Sequence, residues 1–286
     1  MRKLVPMNNM LADAEKRGYA VGAFNVNDLA GVQAVAQAAE EERSPVIIQI
    51  YTTGVGVIGS RYIVAMAEAA AQSSTVPIAL HLDHGRDLET VEICVNSGFS
   101  SVMIDGSKLP LAENIEVTQK TVEMAHAAGM SAEAELGKIG SGSQELSEDD
   151  RRASLTDPDE AVEFVNKTKV DALAVAIGSA HGLYKFKPEL DFDLLKELRK
   201  VAKAYLVLHG GSDLPENQII RAIELGITKI NVATDLTVAY TKALRELVAS
   251  SEGLVWSGRV FTTAREVMKG VIKERMRLFG STGMVE

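Results

Sequence analysis

The sequence predicts an α/β fold, namely a (β/α)8 TIM barrel with a helical extension at its C-terminal end. Eight short apolar runs rich in Val, Ile and Ala alternate with helical patterns along nearly the whole chain. Strands that alternate with helices pair in parallel through right-handed crossovers. The length of 286 residues also suits one barrel, which typically takes about 250. We therefore expect a single domain over residues 1–286, with an open doubly wound sheet as the alternative fold.

The order of elements follows from the hydrophobic period of each segment. Strands are predicted at 19–26, 45–51, 76–82, 101–105, 131–136, 171–177, 204–209 and 229–233. Helices are predicted at 28–42, 87–97, 112–128, 158–167, 191–203 and 215–225. Residues 138–154 are rich in Gly and Ser and then acidic, which is typical of a functional or disordered loop. The tail from residue 256 carries a further long helix, expected to cap the barrel or to pack on a neighbouring subunit.

Composition restricts the classes of partner and the compartment. A net charge of −9 and a pI near 5.2 argue against nucleic acid and anionic membranes as partners. The single cysteine, Cys94, excludes an internal disulfide and is compatible with a reducing cytoplasm. No run reaches the length of about 20 apolar residues that a bilayer-spanning helix needs. We therefore expect a cytoplasmic protein with a small-molecule ligand.

Three histidines stand where predicted strands end. His84, His181 and His209 follow the third, sixth and seventh strands, and each precedes a glycine. In barrel enzymes the working residues project from the C-terminal strand ends, so these three side chains should share one mouth. Three imidazoles with an open fourth position suit a catalytic metal, whereas one such histidine alone would more often be a satisfied core residue. Strand alternation places His84 opposite His81, unless the turn after Leu82 swings it towards the barrel axis.

Three carboxylates accompany these histidines. Asp83 lies between His81 and His84 and is therefore the natural general acid/base beside a metal. Its alternative role is to orient an imidazole by accepting a hydrogen bond. Glu133 and Glu135 share one face of the fifth strand, where they would either support the metal site or be satisfied polar residues within the barrel.

Two loops after the seventh and eighth strands suit a phosphate. HGGSDLP (209–215) and NVATDL (231–236) each precede a helix, where exposed N–H groups and the helix dipole attract anions. Lys185 would add a point charge. A metal and a phosphate anchor fit a reaction through an enolate beside a carbonyl. Aldol cleavage, isomerisation or epimerisation, and decarboxylation all use that chemistry, and a non-catalytic sugar-phosphate-binding protein is a further alternative.

Motifs over nearly the whole chain resemble one enzyme family. Segments in the order and spacing of metal-dependent (class II) fructose-bisphosphate and tagatose-bisphosphate aldolases are FNVND, HLDHG, SVMIDGS, EAELG, AIGSAHGLYK, LVLHGGS, INVATD and FGSTG. The resemblance implies a zinc enzyme that reversibly splits a ketose phosphate into dihydroxyacetone phosphate and an aldehyde. It also implies a monovalent cation (Na⁺ or K⁺) near the phosphate and a homodimer or homotetramer.

The resemblance also assigns roles to matching positions. The zinc ligands would be His84, His181 and His209, and Asp83 would move the proton on the C4 hydroxyl. Substrate contacts are expected from Asn25, Tyr51, Gly182, Lys185, Gly210, Gly211, Ser212, Asn231, Thr234 and Arg259. Most of these would hold the dihydroxyacetone phosphate end, while Tyr51 and Arg259 fall near the distal end.

The sequence departs from the family pattern at three places. Ser143 occupies the position of the loop glutamate that removes the C3 proton, so Glu145, or less favourably Glu148, is the expected replacement. Tyr51 stands where the family often has a serine near the distal phosphate. Gly258 stands where the family has an arginine from the neighbouring subunit, and the adjacent Arg259 would compensate.

The last two departures weaken the grip on the distal phosphate, because a bidentate arginine is hard to replace there. We therefore expect a ketose 1-phosphate whose far end is not an ordinary phosphate, such as a hydroxyl, a deoxy carbon, a carboxylate or a sulfonate.

Overall fold

The computed structural model describes residues 4–143, 147–185 and 188–285. Its strands are β1 (Val21–Asn25), β2 (Val46–Tyr51), β3 (Ile78–Gly85), β4 (Ser101–Ile104), β5 (Ser131–Leu136), β6 (Gly140–Ser141), β7 (Ala172–Val175), β8 (Ala180–His181), β9 (Tyr205–Leu208) and β10 (Ile227–Val232). Eight of them close into a parallel barrel in the order β1-β10-β9-β7-β5-β4-β3-β2. The predicted TIM barrel is confirmed, and the open sheet is wrong.

Helices cover the outside of this barrel and close one end of it. They are α1 (Asn8–Arg17), α2 (Leu29–Glu42), α3 (Thr52–Ile58), α4 (Ser60–Gln72), α5 (Leu88–Ser97), α6 (Leu111–Ala127), α7 (Glu148–Ser154), α8 (Pro158–Thr168), α9 (Phe192–Val201), α10 (Glu216–Glu224), α11 (Thr234–Ala249) and α12 (Ser257–Leu278). Several begin at an aspartate that accepts a backbone N–H of the first turn, as Asp28 and Asp87 do. Among the described residues, no helix is long and apolar enough to cross a membrane.

The C-terminal extension is present; its helix does not cap the barrel, although Met284 beyond the helix packs on the apolar cluster at the closed end. Helix α12 packs against α2 and α11 in the outer ring, where Arg277 donates to Glu42 at 2.6 Å. The end of the barrel is instead closed by α1, whose Met10 and Leu11 pack on interior residues such as Ile47. The sequence pattern missed this role, because α1 precedes the first strand and lies outside the β/α repeat.

The interior of the barrel changes from apolar to polar towards the C-terminal strand ends. Near α1 the strands contribute apolar side chains such as Val21 and Ala79. Two residues further along β2 and β3 the inner positions are Gln49 and His81, and Glu133 and Lys229 are buried polar groups of the same interior. Buried polar groups need partners, so this layer forms the hydrogen-bonded base of the site.

The segment predicted as an irregular loop after β5 is partly regular. Within it, β6 pairs in parallel with β8, so that Ser141 lies beside His181. The Gly142 N–H donates to the His181 carbonyl at 2.7 Å, and the Lys185 N–H donates to the Gly142 carbonyl at 3.0 Å. Helix α7 follows at Glu148. The described part of this loop is thus attached to the strand end that carries His181.

Candidate metal centre and active site

Three strand ends bring the predicted histidines together at the mouth of the barrel. The ring centroids are 4.8 Å apart for His84 and His209, 5.1 Å for His84 and His181, and 5.8 Å for His181 and His209. One ring nitrogen from each lies within 4.8 Å of the others. A single ion can therefore contact all three imidazoles.

A local break in β3 turns His84 towards the axis. The pairing of β3 with β4 shifts register between Leu82 and Gly85, and His84 has a φ of 47° in the left-handed region. Gly85 permits the turn, because a Cβ there would lie 2.3 Å from the Met103 carbonyl oxygen. His81 stays within the regular strand, one layer deeper, where its Nδ1 lies 2.8 Å from Ser101 Oγ.

Carboxylates fix the orientation of two imidazoles. His84 Nδ1 donates to Asp105 Oδ2 at 2.8 Å, and Ser107 holds the other oxygen of Asp105 through its N–H and hydroxyl. Nε2 of His84 is thereby left for a ligand. In His209 the other ring nitrogen is held, because Nε2 lies 3.0 Å from Glu133 Oε1. Nδ1 of His209 is thereby left for a ligand.

Two buried atoms beside these rings indicate a cation site. His209 Nδ1 and Glu135 Oε2 lie 3.3 Å apart, and neither has a hydrogen-bond partner among the described residues. Glu135 Oε2 is also 3.8 Å from His84 Nδ1. Unpaired buried polar atoms are rare and call for an ion or water. The donor set of three imidazoles and a nearby carboxylate fits a divalent metal such as zinc.

Protonation in this cluster follows burial and neighbouring charge. Burial, with the nearby His209 and His84, lowers the pKa of His181 to about 3, so this imidazole is neutral, as a metal ligand must be. Burial also opposes protonation of His209, but the negative charges of Glu133, which accepts a hydrogen bond from Nε2, and of the nearby Glu135 outweigh it and raise its pKa to about 9. The same carboxylates that favour a proton there would favour a metal cation.

Asp83 is held by two amides next to the metal site. Asn25 Nδ2 donates to one carboxylate oxygen at 2.8 Å, and Asn231 Nδ2 donates to the other at 3.2 Å. Gln49 Nε2 in turn donates to Asn25 Oδ1 at 2.9 Å. Burial favours protonation of Asp83, but the charges of His84 and other neighbours outweigh it and lower the pKa. Asp83 is therefore an oriented, ionised carboxylate that can exchange a proton with a ligand.

Lys229, one layer deeper in the barrel, contacts residues that support both the candidate metal site and Asp83. This fully buried ammonium contacts both oxygens of Glu133, at 2.9 and 3.1 Å, and donates to Asn231 Oδ1 at 2.6 Å. Glu133 holds His209, and Asn231 holds Asp83, so one cation supports both groups. The roles of Lys229 and Asp105 were not predicted from the sequence. Two features of the sequence could have indicated them: Lys229 is a charged residue inside an apolar strand, and Asp105 directly follows β4.

A cavity of about 710 Å³ lies above these groups. Of the predicted substrate contacts, the residues that line it are Asn25, Tyr51, Gly182, Gly210, Ser212, Asn231 and Thr234. Gly211 lies behind the wall, packed against Ile230 and Asn231. Lys185 and Arg259 are exposed and are not part of the lining in this chain. Helix α11 begins at Thr234 and presents its positive end to the cavity.

The loop after β5 carries the candidate bases Glu145 and Glu148, and Ser143 at the position of the family's glutamate. Glu145 lies outside the described residues. Ser143 is exposed, and its hydroxyl lies 2.8 Å from that of Ser141, which lines the cavity. Glu148 is exposed at the start of α7 and pairs with Arg152 at 3.1 Å.

A metal site supported by Asp105 predicts a measurable loss of affinity when that support is removed. We expect Asp105→Ala to weaken zinc binding about 10- to 100-fold, because His84 would lose the acceptor that fixes its orientation. Competition titration against a chromophoric chelator measures the change. Asp193→Ala, at an exposed aspartate of α9, is the control and should leave zinc affinity unchanged. Equal affinity in Asp105→Ala and the control would contradict the assignment.

The fold and this site define a β/α-barrel enzyme with a histidine cluster suited to a divalent metal at its catalytic mouth. The family model described as class II fructose-bisphosphate aldolase matches residues 5–284. A fructose-bisphosphate aldolase from Geobacillus stearothermophilus is 42% identical over 286 residues, covering 98% of each chain. A sulfofructosephosphate aldolase from Alkalicoccus urumqiensis is 39% identical over 272 residues, covering 95% of each.

A solved structure of similar shape is that of the YdjI aldolase from Escherichia coli K12, with a TM-score of 0.88 and 36% identity. The match covers 99% of this chain and all of that one. The chain therefore belongs to the class II fructose-bisphosphate aldolase family. It is an aldolase, a carbon–carbon lyase, of a family that depends on a metal and acts on phosphorylated sugars.

Proposed function

We propose that this aldolase uses zinc to split a ketose 1-phosphate with a modified C6 group, reversibly, into dihydroxyacetone phosphate and an aldehyde. Tyr51 carries the proposal, because its aromatic ring lines the cavity where the family pattern often has a serine near the distal phosphate. The absent arginine at Gly258 supports it as well. Of the possible C6 groups we favour a sulfonate, since a relative with 39% identity is named a sulfofructosephosphate aldolase.

The chain's own residues divide the work as follows. His84, His181 and His209 would hold the zinc ion, which supplies Lewis-acid stabilisation of the negative charge that develops next to the ketose carbonyl. Asp83 would accept the proton of the C4 hydroxyl as the C3–C4 bond breaks, and would return it in the condensation direction. Asn25 and Asn231 keep its carboxylate aimed at that hydroxyl.

The phosphate end of the substrate would lie at the start of α11. Ser212 and Thr234 line this part of the cavity, together with the turn at Gly210. A Cβ at Gly210 would lie 2.3 Å from the Ala180 carbonyl oxygen, so only glycine allows the close approach of this turn to β8. The helix dipole and free N–H groups favour a phosphate there, and Lys185 and a monovalent cation (Na⁺ or K⁺) would add positive charge.

In the condensation direction, C3 of dihydroxyacetone phosphate loses a proton to a base, and in the cleavage direction the same group returns it. This group would come from the loop after β5. We propose Glu145, because the loop is attached beside His181 and its Ser141 lines the cavity. The serine at position 143 cannot serve as a carboxylate base.

We also propose that the chain forms a homodimer or homotetramer. Leu254 and Trp256 are strongly exposed just before α12. Large apolar side chains grouped in this way are typical of an interface. The adjacent Arg259 would then reach a neighbouring active site rather than its own.

The proposed substrate class is tested by kinetics on a panel of ketose 1-phosphates. The panel holds fructose and tagatose 1,6-bisphosphates, their 6-deoxy-6-sulfo analogues and 6-deoxyfructose 1-phosphate. We expect the highest kcat/KM for a sulfonated member, with dihydroxyacetone phosphate as a product. A kcat/KM for either bisphosphate above every analogue would contradict the substrate class. Formation of a second ketose or an aldose without triose phosphate would instead indicate an isomerase or epimerase.

A further inference from the structure

Tyr51, on the wall of the cavity, contacts a cation, Arg86. Arg86 follows the His84–Gly85 turn and precedes α5, so it stands beside the metal site. Its Nη2 donates to the Tyr51 hydroxyl at 3.2 Å, and its Cζ lies 5.7 Å from the centroid of the Tyr51 ring. The Tyr51 ring is in turn 5.7 Å from that of His84. Tyr51 therefore lies between the histidine cluster and the guanidinium.

This arrangement leaves most of the guanidinium available to a ligand. A guanidinium has five N–H donors in a planar fork, and the hydrogen bond to Tyr51 uses one of them. Arg86 is itself exposed, and its partner Tyr51 lines the cavity. A second cation, Lys108, lines the cavity and follows Ser107, which holds the Asp105 carboxylate. An anion between Arg86 and Lys108 would meet two positive charges.

Other basic groups are placed less well for this task. Arg259, exposed on the first turn of α12, does not line the cavity of its own chain and would meet a substrate only in a neighbouring subunit, whereas Arg86 bonds directly to Tyr51 of the cavity wall. Gly258 has no side chain to offer. A sulfonate has three oxygens that can accept hydrogen bonds from the planar guanidinium of an arginine, as the oxygens of a phosphate do.

We propose that Arg86, positioned by Tyr51 and assisted by Lys108, binds the anionic group at C6 of the ketose and so determines the substrate specificity of this aldolase. The proposal rests on the proposed function, since it places the C6 group at the Tyr51 wall. In this chain the distal anion is thus held by residues of the same subunit that carries the metal ligands.

The test compares a sulfonated with an uncharged C6 group. In Arg86→Ala, kcat/KM for 6-deoxy-6-sulfofructose 1-phosphate should fall about 10- to 100-fold, as expected for a lost charge-assisted contact. For 6-deoxyfructose 1-phosphate it should change less than about twofold, because that substrate offers no anion there. Arg86→Lys should restore part of the lost activity. Arg61→Ala, at an exposed arginine of α4, is the control and should leave both values unchanged.

Calorimetry with inert analogues separates this proposal from the proposed function. The probes are 6-deoxy-6-sulfohexitol 1-phosphate and 6-deoxyhexitol 1-phosphate, which lack the carbonyl and cannot be cleaved. Arg86→Ala should weaken binding of the sulfonated hexitol only, whether or not the enzyme cleaves any ketose tested. Equal losses for both probes, no loss for either, or a selective loss in Arg259→Ala but not in Arg86→Ala would overturn the assignment.

Discussion

Replacing Asp83 with alanine is expected to lower kcat about 100- to 10,000-fold while zinc stays bound. The carboxylate is buried, ionised and aimed by Asn25 and Asn231, and its nearest oxygen is 3.9 Å from His84 Nε2. It therefore stands beside the metal position without being needed to hold the imidazole, which Asp105 already orients at 2.8 Å. The loss should fall on kcat rather than on KM, because in the proposed reaction Asp83 accepts the C4 hydroxyl proton while the C3–C4 bond breaks.

The zinc content and the turnover of Asp83→Ala must be measured on the same preparation. Asp83→Asn is the matched variant, since it keeps the size of the side chain and removes only its basicity. Asp87→Asn, at the N-cap of α5, controls for a change of charge near this strand. Loss of zinc in Asp83→Ala would show instead that the carboxylate supports an imidazole. Retained turnover would rule out its role as the acid/base.

Replacing Lys229 with methionine is expected to lower the free energy of unfolding by about 3–5 kcal/mol, the typical cost of breaking a buried ion pair. Methionine fills similar space, so the loss arises because the Glu133 carboxylate would remain buried with its cation removed. Asn231 Oδ1 would lose its 2.6 Å donor in the same variant.

Urea denaturation of the zinc-free and the zinc-loaded protein measures this effect. The double variant Lys229→Met/Glu133→Leu serves as the control, because replacing both partners with apolar groups removes the unpaired charge and should recover most of the stability. Zinc affinity should be lower in this double variant than in Lys229→Met, since His209 loses its 3.0 Å partner Glu133 only there. A Lys229→Met protein as stable as the wild type would contradict the account of this buried network.

Much of the architecture could be predicted because β/α barrels repeat a simple period. The helix predicted at 28–42 is observed at Leu29–Glu42, and the strand predicted at 131–136 is observed at the same residues. The histidines were found because strand ends in a parallel barrel all face one mouth. Both predictions depend on the local hydrophobic period and on the rule that the C-terminal ends of all barrel strands lie on the same face.

Contacts across the barrel could not be predicted in the same way. Lys229 on β10 meets Glu133 on β5 only once the strands have closed in a particular register, and no short-range pattern encodes that pairing. The turn of His84 depends on a register shift that the sequence indicated only as one of two possibilities. Arg86 was overlooked because its relation to Tyr51 joins residues 35 positions apart.

Cleavage of a C6-modified ketose 1-phosphate is proposed to depend on a metal bound by the histidine cluster. The most direct test couples dihydroxyacetone phosphate release to a dehydrogenase and follows it with 6-deoxy-6-sulfofructose 1-phosphate as substrate. We expect release that stops after treatment with a chelator and returns when about one equivalent of zinc per chain is restored. Release that continues in the chelated protein, or no release from any ketose 1-phosphate with zinc bound, would contradict the account.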